Sequence, residues 1–288
     1  MNIDKTVAPP APLLRDIPSL ERIARELRRQ VIRMVAPTGQ GYVQQGLGAA
    51  DLFAALYFGE LRLDPANPDW SGRDRFLLST AHNTAILYAT LAARGMIDPA
   101  LLGTYCQDGS PLEINASERL GTVIEATCGS LGQGLSVGLG MALAARRQKR
   151  DSRVYVMLGD GELQEGQVWE AALAAGSWGL DNLCLIIDDN EMQVEGHADR
   201  VFGMQPIDRK WQAFNWHTLT IDGNDMPTVL AALDEARAHK GQPTCIVART
   251  LVGKGAPSLE GIFAHNLKLP PDAAAKALAE LGDQGNGQ

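Results

Sequence analysis

The chain has 288 residues, 45% of them hydrophobic and 21% charged, with a formal net charge of −8. That is ample for a packed core and ordinary for a soluble globular protein, whereas general nucleic-acid binding requires a basic face that an acidic chain lacks. No apolar run approaches the roughly 20 residues of a membrane span, and the N-terminus has no apolar signal core.

Residues 1–18, with Asp4, Pro9 and Pro10, read as a flexible arm. Ser19 is the expected N-cap of a helix whose apolar face is Leu20, Ile23, Ala24, Leu27, Val31 and Met34. A second apolar helix is expected over 49–58, a short strand over 75–79 and a helix over 84–94. Strands then follow at 154–158, 182–188, 217–221 and 244–249, alternating with helices that include 164–177 and 225–240. Continuous apolar strands alternating with helices indicate the α/β class, a parallel sheet with helices on both faces. Residues 19–270 read as one unit, and 271–288 as a frayed C-terminal tail ending Gly-Asp-Gln-Gly-Asn-Gly-Gln. Three of the four cysteines, Cys106, Cys128, Cys184 and Cys245, lie in apolar stretches, and none forms a C-x-x-C pair. They are expected to be buried free thiols in a reducing, cytoplasmic compartment.

The segment Val156-Met-Leu-Gly159-Asp160-Gly161-Glu162 places Gly-Asp-Gly at the carboxyl end of a buried strand. Ligands of open α/β sheets sit at that edge, and glycine lets the backbone approach a phosphate. Alone, the triplet is equally a turn. A second strand, Leu185-Ile-Ile-Asp188-Asp189-Asn190, ends about thirty residues later, with one crossover helix between. The two tips are therefore expected to be neighbours, with Asp160 and Asn190 facing one ion. Magnesium takes about six oxygens from few protein ligands plus substrate phosphates. An acid, an amide and a backbone carbonyl suit it.

The pairing of Gly-Asp-Gly with a later Asn resembles the thiamine-diphosphate signature. The wider wording, Gly159-Asp-Gly-Glu-Leu-Gln-Glu165-Gly-Gln-Val-Trp-Glu170 and Asp188-Asp-Asn190-Glu-Met192-Gln-Val194-Glu-Gly196, is similar to the transketolase family over roughly residues 20–270. The resemblance implies a thiamine-diphosphate-binding fold of the diphosphate-binding type. It implies that Asp160, Asn190 and the Met192 carbonyl hold Mg²⁺, or Ca²⁺ or Mn²⁺ in its place. Thiamine diphosphate would be bound by His82, Gly129, Ser130, Leu131, Gly159, Asp160, Gly161, Glu162, Asn190, Met192, Val194 and His265.

Other matches extend the resemblance. Arg75-Phe-Leu-Leu-Ser79-Thr-Ala-His82 resembles the segment whose histidine lines the substrate channel, where a neutral imidazole can move protons. The same histidine also reads as a helix cap. Gly129-Ser130-Leu131-Gly132-Gln-Gly134 resembles a loop before a helix that brings backbone close to the cofactor and a partner chain, although packing alone would also account for its glycines. Val252-Gly253-Lys254-Gly255 followed by His265 is similar to the segment whose histidine reaches the diphosphate or the reacting centre; Lys254 reads as a loop cation. Glu165 and Glu170 match acidic positions at the subunit contact and on a proton path, against a solvated-face alternative. His82, His265, Glu165 and Glu170 are the catalytic candidates.

Two family histidines are absent. Tyr42 stands in the stretch where the family has Gly-His-Pro-Gly, and Asn115 replaces a second histidine in Leu112-Glu-Ile-Asn115. Both family positions contact the ketose donor. Tyrosine and asparagine still hydrogen-bond but do not carry protons near pH 7, so the cofactor site is expected to be intact and the donor site altered. The acid and aromatic bed that thiamine chemistry requires come, in the family, from a following domain that nothing before Gln288 resembles. A separately encoded pyrimidine-binding subunit in an α₂β₂-like assembly is expected. The function so implied is transfer of a carbon unit from a ketose or keto-acid donor to an aldehyde-type acceptor. The α-subunit of a 2-oxo-acid dehydrogenase or decarboxylase, and a non-catalytic cofactor-holding homologue, remain open alternatives.

Overall fold

In the computed structural model, residues 12–262, 265 and 268–282 are described. In chain order the elements are α1 (Ile17–Val35), α2 (Val43–Ala54), β1 (Arg75–Leu78), α3 (Thr84–Ala93), α4 (Gln133–Arg147), β2 (Val154–Gly159), α5 (Gly166–Ser177), β3 (Leu183–Asp189) and the two-residue strands β4 (Met192–Gln193) and β5 (Gly196–His197). They continue with α6 (Ala198–Val201), α7 (Ile207–Ala213), β6 (His217–Asp222), α8 (Met226–Ala238), β7 (Thr244–Arg249) and α9 (Pro271–Glu280). The five longer strands pair in parallel in the order β1-β2-β3-β7-β6, and β4 and β5 form a small antiparallel hairpin.

Side chains alternate across a strand with period two, and both sets are apolar here. In β2, Tyr155 and Met157 join the core under α1, α2, α3 and α8, while Val154, Val156 and Leu158 join the core under α4, α5 and α7. In β3, Cys184 and Ile186 divide from Leu183, Leu185 and Ile187 in the same way. The result is the expected three-layer α/β sandwich, with the sheet covered on both faces. Among the described residues no helix is long and apolar enough to cross a membrane. All four cysteines are free; Cys128, Cys184 and Cys245 are buried and Cys106 is half-buried.

Four details differ from the sequence reading. The cap of α1 is Asp16, not Ser19: its carboxylate accepts from the Ser19 backbone N–H at 3.0 Å, three residues into the helix. Helix α2 starts at Val43 because Gln44 and Gln45 are buried with the apolar residues, so their polarity concealed its first turn. Helix α4 follows the glycine loop as the resemblance implies but begins at Gln133, so that Gly134 lies inside it; Gly138 lets it lie directly on Val156 of β2. Residues 271–280, assigned to the tail, are helix α9, which buries Ala274 and Ala277 and is tied to α1 by Arg29 donating to the Leu281 carbonyl at 2.6 Å. Of the expected arm, residues 12–18 are described. The Leu14 N–H donates to the Phe58 carbonyl at 2.8 Å, and Arg15 pairs with Asp234 at 2.9 Å. Residues 1–11 and 283–288 lie outside the described residues.

Gly176, near the end of α5, abuts the Phe214 carbonyl so closely that an added methyl would collide with backbone. Gly176→Ala should therefore cost about 1–3 kcal/mol despite the better helix propensity of alanine. A urea melt with an unchanged midpoint would show that the Phe214 backbone gives way.

Candidate functional site

Strands β2 and β3 end side by side, with Gly159 opposite Asp188. The Asp160 N–H donates to the Asp188 carbonyl at 3.2 Å, so the Gly-Asp-Gly turn begins on the neighbouring tip. The Asp188 side chain is fully buried and organises the surroundings: it accepts from Asn83 and Asn190 Nδ2, both at 3.0 Å, and from the Thr250 hydroxyl at 2.5 Å. This fixes which way the Asn190 amide faces. Asn190 Oδ1 accepts from the Met192 N–H at 3.0 Å and keeps a second lone pair. The intervening Glu191 takes φ 60°, and the chain turns back so that the Met192 carbonyl oxygen would lie 3.7 Å from a Cβ placed on Gly161.

Asp160 is 4% exposed, and its Oδ1 has no hydrogen-bond partner. Burial, and then the neighbouring Asp189 and Asp188, hold its carboxyl well above the usual carboxylate range. Asp189 is raised to about 6 by burial and then by Glu191. A buried carboxylate oxygen without a donor, among like charges, fits a cation and is costly without one. Among the described residues, no three His, Cys, Asp or Glu side chains form a self-sufficient metal cluster. The donors here are instead an acid, an amide oxygen and a backbone carbonyl. Such a set suits a hard ion that completes its shell from a bound phosphate and water.

Around these tips the backbone is closely fitted. Glu162 is buried; its carboxylate accepts from the Gly132 N–H at 2.7 Å, the Gly159 N–H at 3.2 Å and the Ser79 hydroxyl. It therefore ties β1, β2 and the start of α4 together, and burial raises its pKa despite these bonds. Gly129, at φ 111°, lies against Asn115, whose amide nitrogen would be 2.6 Å from a Cβ there.

Above the tips opens a cleft of about 380 Å³ lined by Tyr42, His82, Asn115, Gly129, Leu131, Gly161, Glu162, Glu165, Met192, Val194 and His265. Ala81, Gln164 and Gln193 complete it. The Tyr42, His82 and His265 rings form a triangle with centroid separations of 6.2, 5.2 and 5.7 Å. Burial, and then His265, push the His82 imidazole down to about 3. Burial lowers His265 and raises the Tyr42 phenol. Near pH 7 the cleft thus holds two neutral imidazoles, each with one nitrogen able to accept a proton. The Thr80 hydroxyl lies against the His82 ring, 2.5 Å from Nδ1.

Most residues singled out from the sequence converge here; Gly159, Asp160 and Asn190 form the strand tips beneath the cleft, and two others lie outside it. Ser130 is exposed beside it, and Glu170 lies on the exposed face of α5. Glu165 reaches the cleft as the N-cap residue of α5 rather than from within the helix. Gly159 lies beneath His82, whose Cε1 would be 2.9 Å from a Cβ there.

Several site residues escaped the sequence reading. Gln45 donates to the His265 carbonyl at 3.1 Å and touches the Met192 sulfur at 3.4 Å. Gln44 donates to the Ile262 carbonyl at 2.6 Å and accepts from the Gly253 N–H through its own carbonyl at 2.8 Å. The one signal was an amide pair inside an otherwise apolar helix. Asn83 and Thr250, which hold Asp188, carried none.

The family model for the transketolase thiamine diphosphate binding domain matches residues 19–285. The 6-deoxy-6-sulfo-D-fructose transketolase subunit SqwG of Clostridium sp. (strain MSTE9) is 39% identical over 267 residues, covering 92% of this chain and 97% of that protein. An apulose-4-phosphate transketolase subunit of Phocaeicola vulgatus is 35% identical over 246 residues, covering 85% and 87%. The crystal structure of transketolase from Campylobacter jejuni superposes with a TM-score of 0.87 at 31% identity; the match covers 93% of this chain and 43% of that one.

The depressed His82 pKa has a defined consequence for stability. As pH falls below 6.5, the unfolded chain binds a proton at this histidine while the folded chain does not until about pH 3. Folded stability is therefore present in full above 6.5 and is lost on descending towards 3. His82→Asn should flatten that stretch of the pH–stability curve. An unaltered slope in chemical denaturation between pH 6.5 and 4 would show that His82 titrates normally.

Proposed function

We infer the function from one premise: the chain belongs to the transketolase family, whose thiamine-diphosphate-binding domain it matches over residues 19–285. It is a transferase subunit of a two-component transketolase-like enzyme. We propose that it transfers a carbon unit from a ketose or keto-acid donor to an aldehyde-type acceptor and works only with a separately encoded pyrimidine-binding subunit, in an α₂β₂ assembly. The supporting observation for a split enzyme is coverage. The match spans 97% and 87% of two relatives named as subunits, but 43% of the C. jejuni transketolase. The same whole-length correspondence favours this reading over the α-subunit of a 2-oxo-acid dehydrogenase. The free cysteines suit a reducing, cytoplasmic setting.

The observation that carries the site assignment is the partnerless Asp160 oxygen on adjoining strand tips. Asp160, Asn190 Oδ1 and the Met192 carbonyl would hold Mg²⁺, or Ca²⁺ or Mn²⁺, and through it the diphosphate of thiamine diphosphate. When bound, that cofactor supplies the electron sink for breaking and making a carbon–carbon bond. The chain's own residues position and move protons. His82 and His265, neutral and about 6 Å apart by ring centroid, accept or return the proton of a donor hydroxyl. The Gly129–Leu131 backbone and Val194 wall the cofactor from water. Tyr42 and Asn115 meet the donor with hydrogen bonds in place of the family's histidines, so the donor is a ketose or keto acid other than the ordinary pentose phosphates. Glu165, at the cleft rim, and Glu170, on the outer face of α5, face the partner and the proton path between sites.

Asn190→Ala should leave the fold unchanged and weaken metal-dependent thiamine diphosphate binding at least about tenfold; calorimetry showing equal affinity would remove Asn190 from the metal. Tyr42→Phe should raise the donor KM by about tenfold, the loss of one hydrogen bond, without altering cofactor affinity. If donor kinetics are unmoved across a screen of ketoses and keto acids, Tyr42 does not contact the donor.

A further inference from the structure

The opposite edge of the sheet, where β2 and β3 begin, carries a second cavity of about 380 Å³. Besides Arg237, which pairs with Glu60 at 2.7 Å, its cations come from three places: Arg146, Lys149 and Arg150 at the end of α4, Arg153 ahead of β2, and Lys240 after α8. Among the described residues none of these five makes an ion pair. Arg146 donates to the Trp178 carbonyl at 2.6 Å, Arg150 to the Ser71 carbonyl at 3.2 Å and Lys240 to the Arg237 carbonyl at 3.0 Å. Two carboxylates line it as well: Asp151 pairs with Arg62 at 2.8 Å, and Asp181 accepts from the Gly241 N–H at 3.0 Å and faces none of the five within ion-pair distance.

Arg153 is the most informative of the five. It is 5% exposed, its two terminal nitrogens donate to the Asp181 and Ala236 carbonyls at 3.1 and 2.8 Å, and its Nε has no partner. A guanidinium is always charged, and a buried charge without a counter-charge is costly. The dipole at the C-terminus of α4 favours cations in its last turn, but it does not account for Arg153 or Lys240, which lie on other elements. Five cations without an ion-pair partner converge, against two carboxylates, on one hollow in a chain whose net charge is −8. An anion of two or more charges would offset their mutual repulsion, and planar guanidinium forks suit phosphate oxygens.

We propose that this cavity is a binding site for a phosphate-bearing small anion, separate from the cofactor cleft and at the other end of the same two strands. The inference does not depend on the cofactor assignment.

Calorimetry tests it on the full chain in chloride buffer with EDTA, using inorganic phosphate, pyrophosphate and ribose 5-phosphate as probes. At least one should bind wild type and Asp160→Ala alike, and at least tenfold more weakly to the triple variant Lys149→Ser, Arg150→Ser, Lys240→Ser. These three side chains are exposed, and an unchanged thermal melt without anion confirms that the variant is folded. Tighter binding of the sugar phosphate than of phosphate assigns the site to an organic ligand, and equal binding assigns it to free phosphate. The proposal is overturned if the triple variant binds as wild type does, if Asp160→Ala abolishes binding, or if none of the probes binds up to about 10 mM, the weak end of specific affinity.

Discussion

The architecture depends on a concentration of negative charge that the protein does not neutralise itself. Asp160, Asp188 and Asp189 meet at the adjoining ends of two buried strands. Asp188 is satisfied by three donors, whereas one oxygen of Asp160 and one of Asp189 have no partner. Burial first, and then neighbouring carboxylates, raise the affinity of Asp160 and Asp189 for protons. In the proposed function a divalent ion would offset this charge, and the strand register, the Asn190 turn and the close approach at Gly161 would present oxygens to it.

Two buried acids near the cleft illustrate how the same residue type serves different ends. Glu162 is spent on backbone N–H groups and the Ser79 hydroxyl, which makes it a structural tie among three segments. Asp160, two residues earlier, is held with an oxygen facing no protein donor. The difference lies in what surrounds each carboxylate: amides converge on Glu162, carboxylates on Asp160.

The sheet was legible because continuous apolar strands have few other solutions, and the two strand tips with Asp160 and Asn190 were legible because their chemistry is local to short segments. Less local features were not. The start of α2 was hidden because Gln44 and Gln45 satisfy a distant loop rather than solvent. The start of α4 at Gln133 was hidden because the reason for Gly134 and Gly138, close approach to Ser79 and Val156, exists only after folding. Helix α9 read as tail because alanines give a weak apolar stripe, and only the packing on α1 makes it informative. The involvement of Asn83 and Thr250 depends on a hub, Asp188, whose partners come from distant parts of the sequence.

The two histidines of the cleft are mounted differently. His82 follows β1 directly, in a short 3₁₀ turn that leads into α3, an element buried along nearly its whole length. His265 is held to the body through the amides of Gln44 and Gln45, which grip main-chain carbonyls and leave their own side-chain oxygens without partners. The position of the first imidazole is therefore set by the scaffold, and that of the second also by side chains of α2, so a change in the first turn of that helix reaches the cleft through main-chain contacts alone.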